Sequence, residues 1–312
     1  MKKNRLVIAL GGNALGNTPA EQKEKAAACA EVLAELAEKG FELVLAHGNG
    51  PQVGMIQLGL SYSVAAGVIR AEMPLAECTA LSQGYIGFHL QNALQDALRR
   101  RGIARSVVTL LTQVEVDPKD PAFACPTKPV GTFYTREEAE KLGAENGWVM
   151  KEDAGRGWRR VVASPKPVDI LEKEAILRLA EQGTIVIAVG GGGIPVIRTA
   201  DGYEGVPAVI DKDFASEKLA ELVDAEQFII LTAVPQVAVH YSKPDQLNLK
   251  SLSTEQARAY MAAGEFAPGS MLPKVQAAVS FAESGEGRRA VIGQLEQAMA
   301  CVKGEAGTEI IR

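Results

Sequence analysis

The chain has 312 residues, 47% of them hydrophobic and 23% charged, with a formal net charge of −5. This length allows a substantial core in one large domain, and the balance is that of an ordinary globular protein. No basic excess or stripe dominates, which argues against a nucleic-acid partner, and no apolar run approaches the length of a membrane span.

Residues 6–10 (LVIAL) read as a buried strand followed at once by Gly11, Gly12 and Asn13. Thr18, Pro19 and Glu21 carry the signature of a helix start, and Cys29, Val32, Leu33 and Leu36 form an apolar stripe up to Lys39, with Gly40 closing it. Residues 41–46 are a second strand leading into His47-Gly48-Asn49-Gly50-Pro51, with a helix expected from Pro51. A longer helix is predicted over 76–101 and a third strand over 106–111.

Between about 117 and 167 the pattern changes. Prolines fall at 118, 121, 126, 129, 165 and 167, and helical periodicity is brief, near 136–142. This stretch is expected to be an inserted subdomain standing off the main sheet, partly hairpin-like and a lid candidate. The alternation then resumes. Asp169 is expected to cap a helix running to Gln182, before a strand over 184–189 and the run Gly190-Gly191-Gly192-Gly193. A short strand-like run over 208–210, a helix over 214–223 with Asp213 as a candidate cap, a strand over 228–233 and a further element over 237–241 follow. Helices open at Ser253 or Thr254 and near Ser270, and the chain closes with a strand over 290–292, a helix over 294–301 and a strand over 308–311. Repeated strand–loop–helix units predict an α/β fold with a mainly parallel sheet and helices on both faces.

Three glycine-rich turns each follow an apolar strand. In such sheets ligands bind at the carboxyl ends of strands, glycine lets the backbone approach them, and amides at helix starts cradle anions. Lys212 and Lys274 lie at predicted helix starts, where a cation is locally unfavourable unless an anion sits beside it. Lys128, between Pro126 and Pro129, is expected on a stiff turn. For any one of these lysines, a solvated surface position is the commoner alternative.

Other chemistries are poorly served. There is no GxxxxGK[ST], and the stretch 48–54 only loosely resembles a dinucleotide fingerprint, its last glycine one residue late. His47, His89 and His240 show no metal spacing, and no metal-binding residues are assigned. Cys29, Cys78, Cys125 and Cys301 form no CxxC pair. With the short apolar run after the basic N-terminus, they point to a cytoplasmic chain without a signal peptide. The basic cluster 156–160 is read as lid charge over an anionic substrate, with nucleic acid as the alternative.

The chain resembles the carbamate kinases of the amino-acid kinase family. The similarity rests on Gly11-Gly12-Asn13-Ala14, His47-Gly48-Asn49-Gly50-Pro51-Gln52-Val53-Gly54, Pro126-Thr127-Lys128-Pro129, the stretches 151–159 and 164–167, and the motifs 190–195, 209–220 and 266–274, in order from about residue 5 to the end. The resemblance implies an αβα sandwich around a mostly parallel sheet, a single domain over 1–312 with the lid at 117–167, and a homodimer. It also implies reversible phosphoryl transfer between ATP and carbamate, giving carbamoyl phosphate and ADP with Mg2+, run towards ATP in the breakdown of arginine or related nitrogen compounds. By position it assigns Lys128, Lys212, Asp213 and Lys274 to catalysis. Gly11, Gly12, Asn13, Gly48, Asn49, Gly50, Gly191 and Gly192 go to substrate and phosphate, and Thr232, Ala233, Val234, Tyr241 and Met271 to the nucleotide. Pro235 departs from the family pattern, replacing an acidic residue with one that offers neither a carboxylate nor an N–H. A nucleotide-binding sensor without turnover and a nicotinamide dehydrogenase are the competing classes.

Overall fold

The structure, a computed structural model, describes residues 4–12, 16–153 and 155–312. Its centre is an eight-stranded sheet in the order Ser251–Ser253, Thr308–Ile311, Arg289–Gln294, Gln227–Thr232, Arg5–Leu10, Glu42–His47, Ile185–Ile187, Val107–Thr109. Every pairing is parallel except that between Arg289–Gln294 and Thr308–Ile311.

The alternation of side chains along each strand builds two cores. In Arg5–Leu10, Leu6, Ile8 and Leu10 join one cluster, while Val7 and Ala9 join the other. The first lies under helices Pro19–Glu38, Leu75–Arg100 and Ala298–Lys303. The second lies under Lys173–Glu181, Lys212–Leu222, Thr254–Ala262 and Met271–Glu283. A strand buried on both faces is apolar through its middle, which is why residues 6–10, 43–46, 185–187 and 228–231 are continuous apolar runs, with buried polar residues such as Arg5, His47 and Gln227 only at strand ends. The result is the three-layer αβα arrangement.

The helix starts follow local chemistry. Thr18 caps Pro19–Glu38 by accepting from Glu21 N at 3.2 Å. Ser253 and Gln256 form a reciprocal capping box on Thr254–Ala262. A three-stranded sheet of Lys128–Tyr134, Trp158–Val162 and Met150–Glu152, carrying helix Arg136–Asn146, occupies much of the proline-rich stretch. It docks on helix Gly50–Ala65 through Val53, Val130 and Val162. A Cβ on Gly54 would fall 2.1 Å from Gly131 Cα, so the two backbones meet with no side chain between them.

Several local expectations are corrected. Asp169 does not cap a helix: Pro167–Ile170 pairs with Gln113–Val116 as a strand, and the helix runs from Lys173 to Glu181. That pairing belongs to a second, four-stranded sheet with Ile194–Thr199 and Gly202–Gly205, whose half-exposed strands carry too little apolar signal to be read beforehand. Residues 208–210 form no strand, only an isolated bridge from Ala208 to Ala163. The helix expected over 294–301 is Ala298–Lys303, since Gln294 completes the preceding strand. Lys128 opens a strand paired with Val162 rather than standing on a turn.

Candidate active site

Four of the parallel strands lie side by side in the order Gln227–Thr232, Arg5–Leu10, Glu42–His47, Ile185–Ile187. Their carboxyl ends therefore bring residues 232–234, Gly11 and Gly12, residues 48–50 and residues 190–193 to one edge of the sheet. This is where open α/β sheets bind ligands. Gly11 N donates to Leu231 O at 2.8 Å, and a Cβ at Gly11 would come within 2.7 Å of that oxygen. Asn13, the third residue of that turn, lies outside the described residues.

The second and third turns interlock. Gly191 has φ 68°, and a Cβ there would meet Asn49 Nδ2 at 2.1 Å. A Cβ at Gly190 would meet His47 Nε2 at 2.6 Å, and one at Gly192 would meet Ile210 O at 2.1 Å. Glycine is required because neighbouring groups fill the volume of each side chain. Asn49 precedes helix Gly50–Ala65 but does not cap it, and its Nδ2 donates to Ser82 Oγ at 2.8 Å instead.

His47 is fully buried, and burial, with a smaller contribution from the Lys212 charge, brings its pKa down to about 4 against the opposing bond to Gly48. Its Nδ1 lies 2.8 Å from Gly48 O, which can only accept, so the proton sits on Nδ1. With that pKa the imidazole is neutral at physiological pH, and its Nε2 lies against Gly190 at the turn.

Beside these turns lies a cluster of lysines and aspartates. Asp213, in the first turn of Lys212–Leu222, accepts from Lys212 Nζ at 2.5 Å through one oxygen and from Lys274 Nζ at 3.0 Å through the other. Burial opposes its ionisation, but the two ammonium charges and their hydrogen bonds outweigh this and hold the carboxyl below its ordinary range. Lys274 lies in the first turn of Met271–Glu283 and also donates to Ser270 O at 3.2 Å. Lys128 Nζ reaches Asp211 Oδ2 at 2.5 Å, bringing the small sheet to the same helix start.

The helix cap is Asp211, not Asp213, since Asp211 Oδ1 accepts from Asp213 N at 2.9 Å. The sequence reading overlooked Asp211, although an aspartate before the first helical residue is the usual cap signal. Together the three ammonium groups and two carboxylates leave one positive charge, beside glycine turns and two helix starts. Such a site suits a phosphoryl group in transit.

Thr232 ends the strand beside Gly11, with Ala233 and Val234 in the bend beyond it and Pro235 exposed at its tip. Met271 opens its helix and packs against the core. Tyr241 is 62% exposed, after His240, which pairs with Asp245 at 2.8 Å. The arginines of the basic cluster have partners within and beside the small sheet. Arg156 and Arg159 both pair with Asp153 and stack on Phe133, while Arg160 lies over Trp148 and donates to Gln57.

The profile of the Amino acid kinase family matches residues 4–294. A carbamate kinase of Clostridium perfringens is 53% identical over 99% of this chain and 100% of its own length. A carbamate kinase-like protein of Escherichia coli is 51% identical over 98% of each chain. The structure of carbamate kinase from Giardia lamblia bound to AMP-PNP superimposes with a TM-score of 0.90 at 41% identity, over 98% of each chain.

Proposed function

The chain belongs to the amino acid kinase family; its reaction is carbamate kinase chemistry, and we propose how its residues carry that reaction and in which direction it runs. The enzyme transfers a phosphoryl group reversibly between ATP and carbamate, giving carbamoyl phosphate and ADP. One observation carries the residue assignment: Lys128, Lys212 and Lys274 converge on the adjacent carboxylates Asp211 and Asp213 at the strand edge that holds the glycine turns.

In the ATP-forming direction a terminal phosphate oxygen of ADP attacks the phosphorus of carbamoyl phosphate. The phosphorus–oxygen bond to the carbamoyl group breaks and carbamate leaves with the electron pair. The nucleophile is already an oxyanion, so no general base is needed, and the protein's tasks are alignment and charge neutralisation. Lys212 and Lys274 bind the moving phosphoryl, Asp213 holds the two ammonium groups apart and oriented, and Lys128 engages the carbamoyl end from the lid formed by residues 117–167. The turns at Gly11, Gly12 and Asn13, at Gly48, Asn49 and Gly50, and at Gly191 and Gly192 orient the substrates through backbone amides. Residues 232–234, Tyr241 and Met271 hold the nucleotide.

Magnesium enters as part of the nucleotide substrate, on its phosphates. The two aspartates of the site do not form a metal cage: both oxygens of Asp213 are held by lysines, and those of Asp211 by Lys128 and a backbone amide. Among the described residues no cluster of metal-ligating side chains stands elsewhere.

We assign the protein to the cytoplasm, in the direction of ATP synthesis, at the end of arginine or related nitrogen breakdown. Four unpaired cysteines, three of them buried, suit a reducing compartment. We also assign a homodimer. Helix Gly50–Ala65 exposes Met55, Leu58 and Tyr62 at helical spacing, and helix Leu75–Arg100, packed beside it, exposes Leu81 and Phe88. This apolar face suits a second copy of the chain.

The test is ATP formation from ADP and carbamoyl phosphate with magnesium, comparing wild type with Lys212→Ala and Lys274→Ala. Each variant should lose on the order of a hundredfold in kcat. Variants with wild-type turnover would contradict the assignment, and nucleotide binding without turnover in the wild type would contradict the reaction itself.

A further inference from the structure

Helix Leu75–Arg100 sends two adjacent polar side chains, Ser82 and Gln83, into the interior, where they are 0% and 1% exposed. Buried polar groups need partners, and these find theirs on the turns that line the site. Gln83 Oε1 accepts from Thr112 N at 2.9 Å, while its Nε2 donates to Thr112 O at 3.2 Å and to Gly190 O at 3.0 Å. Thr112 in turn accepts from Val189 N at its Oγ1 at 3.1 Å, and its carbonyl accepts from Ile194 N at 2.8 Å. The Gln83–Thr112 pair thus grips the turn at its entry, at Gly190 and at its exit.

The turn needs holding. Val189, Gly191, Gly192 and Gly193 all have positive φ, at 44°, 68°, 95° and 84°. For Val189, a β-branched residue, that conformation is strained by an amount on the order of 1–3 kcal/mol and persists only when its surroundings impose it. Ser82 acts on the neighbouring turn. Its hydroxyl donates to Thr79 O at 2.6 Å, leaving the oxygen to accept from Asn49 Nδ2. That contact lays the Asn49 amide against Gly191.

We infer that Gln83 and Ser82 are positioning residues for phosphoryl transfer, with Gln83 fixing the 189–193 turn and Ser82 fixing Asn49 against it. The inference rests on the phosphoryl-transfer reading above. Neither side chain is proposed to touch substrate. Both set where the turn amides point, and displacement of aligned groups by about 1 Å costs up to about a hundredfold in rate.

The test compares Gln83→Met, Gln83→Glu and Ser82→Ala with Ile86→Val, a fully buried core substitution on the same helix. ATP formation is measured where circular dichroism shows each variant folded. Gln83→Met and Ser82→Ala should lower kcat by about tenfold or more, with KM for ADP within about threefold. Ile86→Val should keep wild-type kcat.

The Gln83→Glu variant distinguishes orientation from bulk. As a carboxylate it can still accept from Thr112 N, but it faces two carbonyl oxygens without a donor. Protonation restores one donor, so its kcat relative to wild type should recover as pH falls, a trend absent in Gln83→Met. Gln83→Met with kcat within about twofold of wild type overturns the inference. So does a flat pH ratio for Gln83→Glu, or an equal loss of kcat in Ile86→Val. A wild-type protein that forms no ATP overturns the phosphoryl-transfer reading and this inference with it.

Discussion

Replacing Asp213 with asparagine tests the charge arrangement directly. The carboxylate bridges Lys212 at 2.5 Å and Lys274 at 3.0 Å; its side chain is 3% exposed, and those of the lysines 16% and 14%. An amide keeps the shape but offers one oxygen and one N–H2 group, so one ammonium loses its acceptor and faces a donor. The two like charges also lose their shared counter-charge. At about 3 Å and an effective dielectric of about 20, each contact represents about 5 kcal/mol of Coulomb attraction before desolvation is counted. Removing one partner of a buried pair costs about 3–5 kcal/mol net, and the residual hydration of the lysines places this case at the low end, near 3 kcal/mol.

On the proposed residue roles, bound phosphate supplies the missing negative charge. Asp213→Asn should therefore gain more stability from ATP than the wild type does. Urea unfolding near neutral pH, with and without ATP, measures both quantities, and ATP formation measures turnover, which should fall on the order of a hundredfold. A variant within about 0.5 kcal/mol of wild-type stability and about threefold of its turnover would refute the reasoning.

Three further outcomes are expected. Gly191→Ala places a methyl 2.1 Å from Asn49 Nδ2 at φ 68°, so it should cost about 1–3 kcal/mol and most of the turnover, whereas Gly59→Ala, which meets nothing within 4 Å on helix Gly50–Ala65, should be neutral or mildly stabilising. Lys128→Ala should lower kcat on the order of a hundredfold in the ATP-formation assay, because it removes the small sheet's charge from the helix start that Asp211 caps.

The last outcome concerns Glu217, which lines a cavity of about 600 Å3 between helices Lys212–Leu222 and Met271–Glu283. Burial raises its pKa from 4.5 to about 7. The unfolded chain releases this proton first, so the group's contribution to stability is fully present below pH 4.5 and is lost as pH rises through about 7. At about 1.4 kcal/mol per pH unit, Glu217→Gln should stabilise the protein by up to about 3 kcal/mol near pH 8 and not at all near pH 4, as read by thermal or urea unfolding at the two pH values.

The central strands were legible because burial on both faces demands unbroken apolar runs such as LVIAL, and helix starts at Thr18 and Ser253 because caps are local chemistry. The second sheet was not, because Gln113–Val116 is short and only half buried, Gly202–Gly205 is short and exposed throughout, and both are defined by their pairing partners. Asp169 was misplaced for the same reason, since a distant strand claimed it before a helix could. Asp211 was missed because two aspartates flank Lys212 and the helix was expected from residue 214, whereas it starts at Lys212 and Asp211 caps it.

The sequence by itself determined the alternation of strands and helices, the glycine turns and the identity of the charged groups, all of which depend on neighbours a few residues apart. The tertiary structure decided that the turns after residues 10, 47 and 187 lie side by side, through a strand order no local pattern encodes. It also decided that Lys212 and Lys274, 62 positions apart in the chain, share one carboxylate, and that Ser82 and Gln83 face the turns rather than solvent. Those contacts join residues distant in sequence, and their energy exists only once both cores have packed.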